Sequence, residues 1–282
     1  MVERRPVLDV VRHAVLIGGV ALVMLPVYVA FVASTQTLDQ IMAVPMQLWP
    51  GSHGIENYTA VIAHGSERGS SAPVGRMMLN SLVMALVIAG GKISISIISA
   101  FAFVYFRFRF RQAFFWMIFV TLMLPVEVRI LPTYKVVADL GLIDTYTGLT
   151  LPLIASATAT FLFRQFFLTI PDELAEAARI DGAGPMRFFR DVVLPLSRTN
   201  IAALFVIMFI YGWNQYLWPL LVTTQENMYT TVIGIKRMIP GGDAAAEWHL
   251  IMATAVLAML PPAAVILLMQ KWFVKGLVES EK

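Results

Sequence analysis

Six stretches of this chain are apolar for longer than a water-soluble fold needs: Ala14–Ala33, Met77–Val104, Ala113–Leu131, Thr147–Phe163, Ile201–Leu221 and Leu250–Trp272. Each approaches the ~20 residues with which a helix crosses a bilayer. In hydrocarbon the backbone has no water to bond, so such runs must satisfy their own N–H and C=O groups as helices. Composition argues against the rival explanation, one large soluble core. Hydrophobic residues make up 58% of the 282 and charged residues only 14%, where soluble domains carry about 25% charged. The expected fold class is all-α: a polytopic membrane protein with about six transmembrane helices.

Basic residues set the orientation, because Lys and Arg collect in short cytoplasmic loops. With the N-terminus in the cytoplasm, that side gathers Arg4, Arg5, Arg12, Arg107, Arg109, Arg111, Arg164, Arg179, Arg187, Arg190, Arg198 and the C-terminal lysines. The outer side keeps Arg68, Arg76, Lys135, Lys236 and Arg237. Both termini are therefore expected in the cytoplasm and the chain in the inner (plasma) membrane. Residues 1–13 would be a cytoplasmic N-terminus, 14–274 the transmembrane domain and 275–282 a cytoplasmic tail. A cleaved signal is the alternative for the first run, with Val32-Ala33-Ser34 as the processing site. Its apolar core is longer than the usual ~7–15 residues, and its removal would leave five spans. The stretch 34–76, rich in Pro, Gly, Ser and His, reads as an irregular or lightly helical outer loop.

Several functions lose support here. A net charge of +3 is too mild for a nucleic-acid partner, which calls for a clustered basic face. With no cysteine there is no disulfide, thiolate nucleophile or cysteine metal site. None of His13, His53, His64 and His249 sits mid-span beside an acid, so no catalytic residue, metal or cofactor is expected. No glycine-rich loop ends in Lys-Ser/Thr, so ATP has no site on this chain. A secondary transporter would often show inverted repeats, and none is visible.

The segment between the fourth and fifth runs carries the sharpest pattern. Pro171 suits a first helical position, and Asp172 and Glu173 then favour the positive end of the helix dipole. Leu174, Ala177, Ala178 and Asp181 fall on one helical face. Gly182 is placed to end the helix in the left-handed conformation. Gly184-Pro185 opens a second short helix with Met186, Phe189 and Val193 on one face, limited by Pro195. Two amphipathic helices joined by a glycine bend could lie on the membrane surface or dock a cytoplasmic partner.

Glu176-Ala177-Ala178, then Gly182, then Val192-Val193-Leu194-Pro195 resembles the EAA loop of ABC importer permeases, with Val192 where the family usually has Ile. Phe161–Phe167, Leu124–Pro132 and Gly212–Pro219 resemble the MalG-type carbohydrate branch. Met123–Pro132 and Gly276–Lys282 resemble permeases of sn-glycerol-3-phosphate importers. The resemblance implies a type I ABC importer permease fold with a coupling loop at 168–198. It implies a non-catalytic transport subunit, with Glu176, Ala177, Ala178, Asp181, Gly182, Leu194 and Pro195 coupling to an ATPase. The partners implied are a homologous second permease, an ATPase dimer, a periplasmic or extracellular substrate-binding protein and membrane lipid.

Candidates for the substrate path are polar groups inside the apolar runs, since charge in hydrocarbon is costly and rarely idle. Lys92 lies mid-run, and Glu127 and Arg129 lie near the end of the third. Arg and Lys suit a phosphate ester; pairing of Glu127 with Arg129, or snorkelling, is the structural alternative. Trp213, Asn214, Gln215 and Tyr216 form a polar-aromatic cluster that could line a polyol path or make interhelical hydrogen bonds. Asn80 and Ser81 read as capping or packing residues.

Overall fold

A computed structural model describes residues 6–66, 71–124, 126–240 and 246–279, and every regular element among them is helical. In chain order these are α1 (Pro6–Ser34), α2 (Leu38–Met42), α3 (Gly54–His64), α4 (Val74–Tyr105), α5 (Arg111–Val120), α6 (Val126–Asp139), α7 (Tyr146–Thr150) and α8 (Ala157–Phe167). They continue as α9 (Asp172–Ile180), α10 (Pro185–Phe188), α11 (Leu194–Leu196), α12 (Arg198–Trp213), α13 (Leu217–Val222), α14 (Thr231–Met238) and α15 (Trp248–Glu279).

The first, second and sixth apolar runs are the continuous helices α1, α4 and α15, each long and apolar enough to cross a membrane. The fourth run is a bent pair, α7 and α8, joined through a 3-10 turn at Leu151–Leu153 and turned by 47°. Pro152 sits in that turn, where a residue lacking an N–H is tolerated. The third run is two helices, α5 and α6, on either side of a 3-10 turn at Thr121–Met123. The fifth run, expected to be one helix, stops at Trp213 and restarts at Leu217. Apolarity measures the depth a segment must tolerate; it does not require an unbroken helix where the backbone is covered by protein.

The chain divides into two compact units, Met1–Arg76 with Gly234–Leu260, and Met77–Ile233 with Pro261–Lys282. In the first, the expected outer loop is more ordered than its composition suggests, because buried amides hold its backbone. Asn57 Nδ2 donates to the carbonyls of Ser34 and Gln36, each at 2.9 Å. Gln36 Nε2 donates to the carbonyls of Gln47 at 2.8 Å and Trp49 at 3.0 Å. Gly51 N–H donates to Thr35 Oγ1 at 2.8 Å. A side chain at Gly51 would run into the Thr35 carbonyl.

The second unit holds two apolar clusters. One packs Ala85, Ala89, Phe163, Phe167, Leu204, Phe209 and Trp213; the other packs Met84, Ile88, Leu149, Trp218 and Val222. Asn80 is fully buried and fully bonded: Nδ2 donates to the carbonyls of Asn227 and Tyr229, and Tyr146 Oη donates to Oδ1 at 2.6 Å. Ser81 Oγ accepts from Thr231 N–H at 2.8 Å. Both act as packing and capping residues, as their positions in the sequence suggest. Asp144, just before α7, accepts from the N–H groups of Thr224 at 2.6 Å and Gln225 at 3.0 Å. Burial pushes the Asp144 carboxyl up, but the Thr224 side chain and these two N–H groups outweigh it and hold it below the ordinary value.

Candidate functional site

The segment from Pro171 to Ser197 is organised around one backbone inversion. Asp172 and Glu173 occupy the first turn of α9, where the helix dipole favours acids. The helix ends at Gly182, whose φ is +74°. Ala183 N–H bonds the Ala178 carbonyl at 2.8 Å and Gly182 N–H bonds that of Arg179 at 3.0 Å, the paired closure that a left-handed residue permits. No atom lies within 4 Å of where a Gly182 side chain would begin, so conformation and not crowding selects glycine here.

One face of α9 rests on an aromatic wall. Ala175 and Ala178 pack against the cluster containing Phe101, Phe188 and Phe167. Tyr105 meets Phe188 edge-on at 5.2 Å between centroids, and Phe101 meets Phe189 at 4.8 Å. A cleft of about 210 Å³, lined by Phe101, Tyr105, Arg107, Ala178, Arg179 and Phe188, remains between α9 and the end of α4. Leu174, Glu176, Ala177, Ile180, Asp181 and Met186 are exposed. This corrects the single face expected for Leu174, Ala177, Ala178 and Asp181. Ala178 turns inward with Ala175, because only small residues let the helix approach the rings.

The second helix also departs from expectation, since Pro195 does not end it. α10 runs into a π turn at Phe189–Val193, in which Leu194 N–H reaches back to the Phe189 carbonyl. The wider turn leaves room for the Pro195 ring, which has no N–H to bond. The chain then bends by 71° between Pro185–Leu196 and α12. Buried Ser197 sits at the bend and donates from Oγ to the Val193 carbonyl at 2.6 Å. Phe188, Phe189 and Val193 belong to or pack against one apolar cluster, whereas Met186 is exposed, so Met186 shares no face with Phe189 and Val193. Asp191 is bonded by Arg190 at 2.7 Å, which holds its carboxyl below the ordinary value.

The path candidates fall at the other end of α12. Lys92 is buried, at 6% exposure, with its ammonium 3.6 Å from the ring centroid of Tyr211. Arg129 is exposed on α6, and the Glu127 side chain lies outside the described residues. Trp213 is buried and stacked on Phe209 at 6.1 Å and 19°. Asn214 caps α12 with its N–H on the Ile210 carbonyl and leaves its side chain exposed. Gln215 Nε2 donates to the Tyr211 carbonyl at 3.1 Å, and Tyr216 is exposed. The helix break at Asn214 thus comes three residues after Tyr211, the residue whose ring meets Lys92 and whose carbonyl takes the Gln215 amide. Sequence reasoning missed Tyr211 and the wall of Phe101, Tyr105 and Phe188. Gly212 beside Tyr211 was a usable signal: a Cβ there would fall 2.8 Å from Ala85 Cα, so α4 and α12 touch at this level.

Known proteins share this fold. A bacterial ABC transporter involved in the import of the acidic polysaccharide alginate has a chain of the same fold, with a TM-score of 0.81 at 21% identity, covering 97% of this chain and 99% of that one. Full-length relatives described as sn-glycerol-3-phosphate transport system permease protein UgpE match over 100% of both chains. They are 63% identical in Agrobacterium fabrum, 62% in Brucella melitensis and 61% in Pectobacterium atrosepticum. Residues 92–279, which include Lys92, the Pro171–Ser197 segment and the helix break, match the description "Binding-protein-dependent transport system inner membrane component". This chain is thus a member of that family of ABC importer permeases and a transport subunit, not an enzyme.

Proposed function

We propose that this chain forms half of the translocation pathway of an ATP-driven importer for sn-glycerol 3-phosphate or its diesters. The observation that carries this reading is full-length identity of 63% to a permease named for that cargo. A permease of this family works with a second permease, an ATPase and a binding protein. Here the second permease is a homologue, two ATPase copies lie on the cytoplasmic side and the binding protein delivers cargo from outside. Both termini are cytoplasmic, residues 14–274 form the membrane domain and 168–198 the coupling loop, in keeping with the distribution of arginines.

In this reading the exposed side of α9, with Glu176, Ala177 and Asp181, enters a cleft of the ATPase. Glu176 and Asp181 meet basic groups there, and Ala177 and Gly182 allow close approach. Ala178 belongs to the same motif but keeps the helix on its aromatic seat. Leu194 and Pro195 lie in the elbow that joins this helix to α12. Displacement of α9 by ATPase closure is passed through the elbow to α12, whose far end carries Tyr211 and the break at Trp213, Asn214, Gln215 and Tyr216. The pathway is thereby linked to ATP by one covalent segment, from α9 through the bend at Ser197 to α12.

The test is uptake by the reconstituted four-component importer, comparing labelled sn-glycerol 3-phosphate with maltose. ATP-dependent uptake of the phosphate ester alone is expected. Selective maltose uptake would remove the cargo assignment, and uptake independent of ATP by an intact complex would remove the importer reading.

A further inference from the structure

Lys92 is a buried cation that the coupling mechanism does not use. Among the described residues no carboxylate pairs with it; its close contact is the Tyr211 ring at 3.6 Å. This placement follows from helix register. Ala85 and Lys92 are seven residues apart and so lie on one face of α4. Ala85 touches Gly212, which brings Tyr211 to the same level of the neighbouring helix. The lysine stem leans back toward the start of α4, as helical side chains do, and its ammonium arrives on the ring face.

Arg129 adds a second positive charge, which acts on both Lys92 and Tyr211. Because Lys92 is buried, repulsion from Arg129 is screened less than it would be between two charges in water. A ring face attracts a cation but carries no net charge to offset the pair. Among the described residues no carboxylate offsets the pair, and an anion of high charge density would do so. A phosphate monoester carries about −1.5 to −2 at neutral pH and offers three acceptor oxygens.

We propose that Lys92 and Arg129 form the phosphate-recognising step of the pathway, with the Tyr211 ring as the resting place of the ammonium when no anion is present. Arg129 is exposed and Lys92 buried, so the anion meets the guanidinium first and then draws Lys92 from the ring. The Gln215 amide, anchored on the Tyr211 carbonyl, lies beside this exchange and suits the polyol end of the cargo. The proposal rests on the organophosphate reading given above.

The experiment uses the complete reconstituted importer and labelled sn-glycerol 3-phosphate, with Lys92→Met, Lys92→Arg and Arg129→Gln variants. ATP hydrolysis without cargo is recorded alongside uptake. Lys92→Met is expected to lower uptake at least about tenfold, the scale on which removing one partner of a buried charge contact acts. Its cargo-free hydrolysis and subunit stoichiometry stay at the wild-type level. Lys92→Arg, which keeps the charge, retains most of the uptake, and Arg129→Gln loses part of it. Unchanged uptake by Lys92→Met overturns the proposal. So does an equal fall in Lys92→Met and Lys92→Arg together with hydrolysis, which would mark Lys92 as a packing residue. If the wild-type importer moves no organophosphate, the cargo reading itself fails, and that is seen before any variant is made.

Discussion

Two segments without long helices are held in opposite ways. Residues 34–58 are fixed by buried amides and hydroxyls bonded to backbone carbonyls, with Asn57 and Gln36 each bonding two. Residues 171–197 are fixed by rings and small side chains, with α9 resting on aromatic side chains through Ala175 and Ala178. Hydrogen bonds fix one geometry, because a bond lost in a buried place leaves an expensive orphan. Contacts between rings are broad and tolerate sliding. The first construction suits a part that must keep its shape, the second a part that must move while staying attached.

The largest effect should come from the one point where the seated segment depends on backbone geometry. Gly182→Val puts a β-branched residue at φ +74°. Left-handed backbone costs an ordinary residue roughly 1–2 kcal/mol, so uptake should fall about tenfold or more. Gly182→Asn, which tolerates that conformation, should keep most of it. Equal uptake by the two variants would show that the inversion does not matter to coupling. In the bonded segment, Asn57→Leu should lower unfolding stability by about 2–4 kcal/mol, since the carbonyls of Ser34 and Gln36 lose their donor. Thermal unfolding in detergent measures this; a change below about 1 kcal/mol would mean that water replaces the amide without loss.

The smallest effect concerns the partly exposed clamp at Asp144. Its carboxyl titrates below the ordinary 3.8, so its contribution is complete above that value and is lost as pH falls through the lowered one. Asp144→Asn should cost roughly 1 kcal/mol at neutral pH, less than a buried charged bond because solvent reaches the site. The difference from wild type should shrink when unfolding is measured near pH 3. A constant difference from pH 7 to pH 3 would break the assignment of this clamp to the carboxylate.

The sequence made the helical class, the approximate spans and the glycine inversion legible, because each depends on a local rule. Apolar length marked α1, α4 and α15, and Pro171, the acids after it and Gly182 marked α9. What stayed illegible depended on neighbours. Ala177 and Ala178 are the same residue type side by side, and only the wall formed by α4 and α10 decides which one turns inward. Pro195 reads as a helix end until the π turn before it makes room for the ring. Lys92 was visible as a buried charge, but Tyr211 beneath it needed the contact between Ala85 and Gly212 to be seen.

The π turn has a consequence for how the orientation of α9 is encoded. A π turn is an α-helix with one residue too many, and each α-helical residue turns the chain by about 100°. Removing a single residue between Phe188 and Leu194 would let that stretch close as ordinary α-helix. Everything on the α9 side would then rotate by about 100°, just over a quarter of a turn, relative to α12, carrying Ala177 away from where it now points. The bearing of that surface is thus stored in the length of the chain as well as in its chemistry. Substitutions between Phe188 and Leu194 that keep the count should therefore be tolerated more readily than any insertion or deletion there.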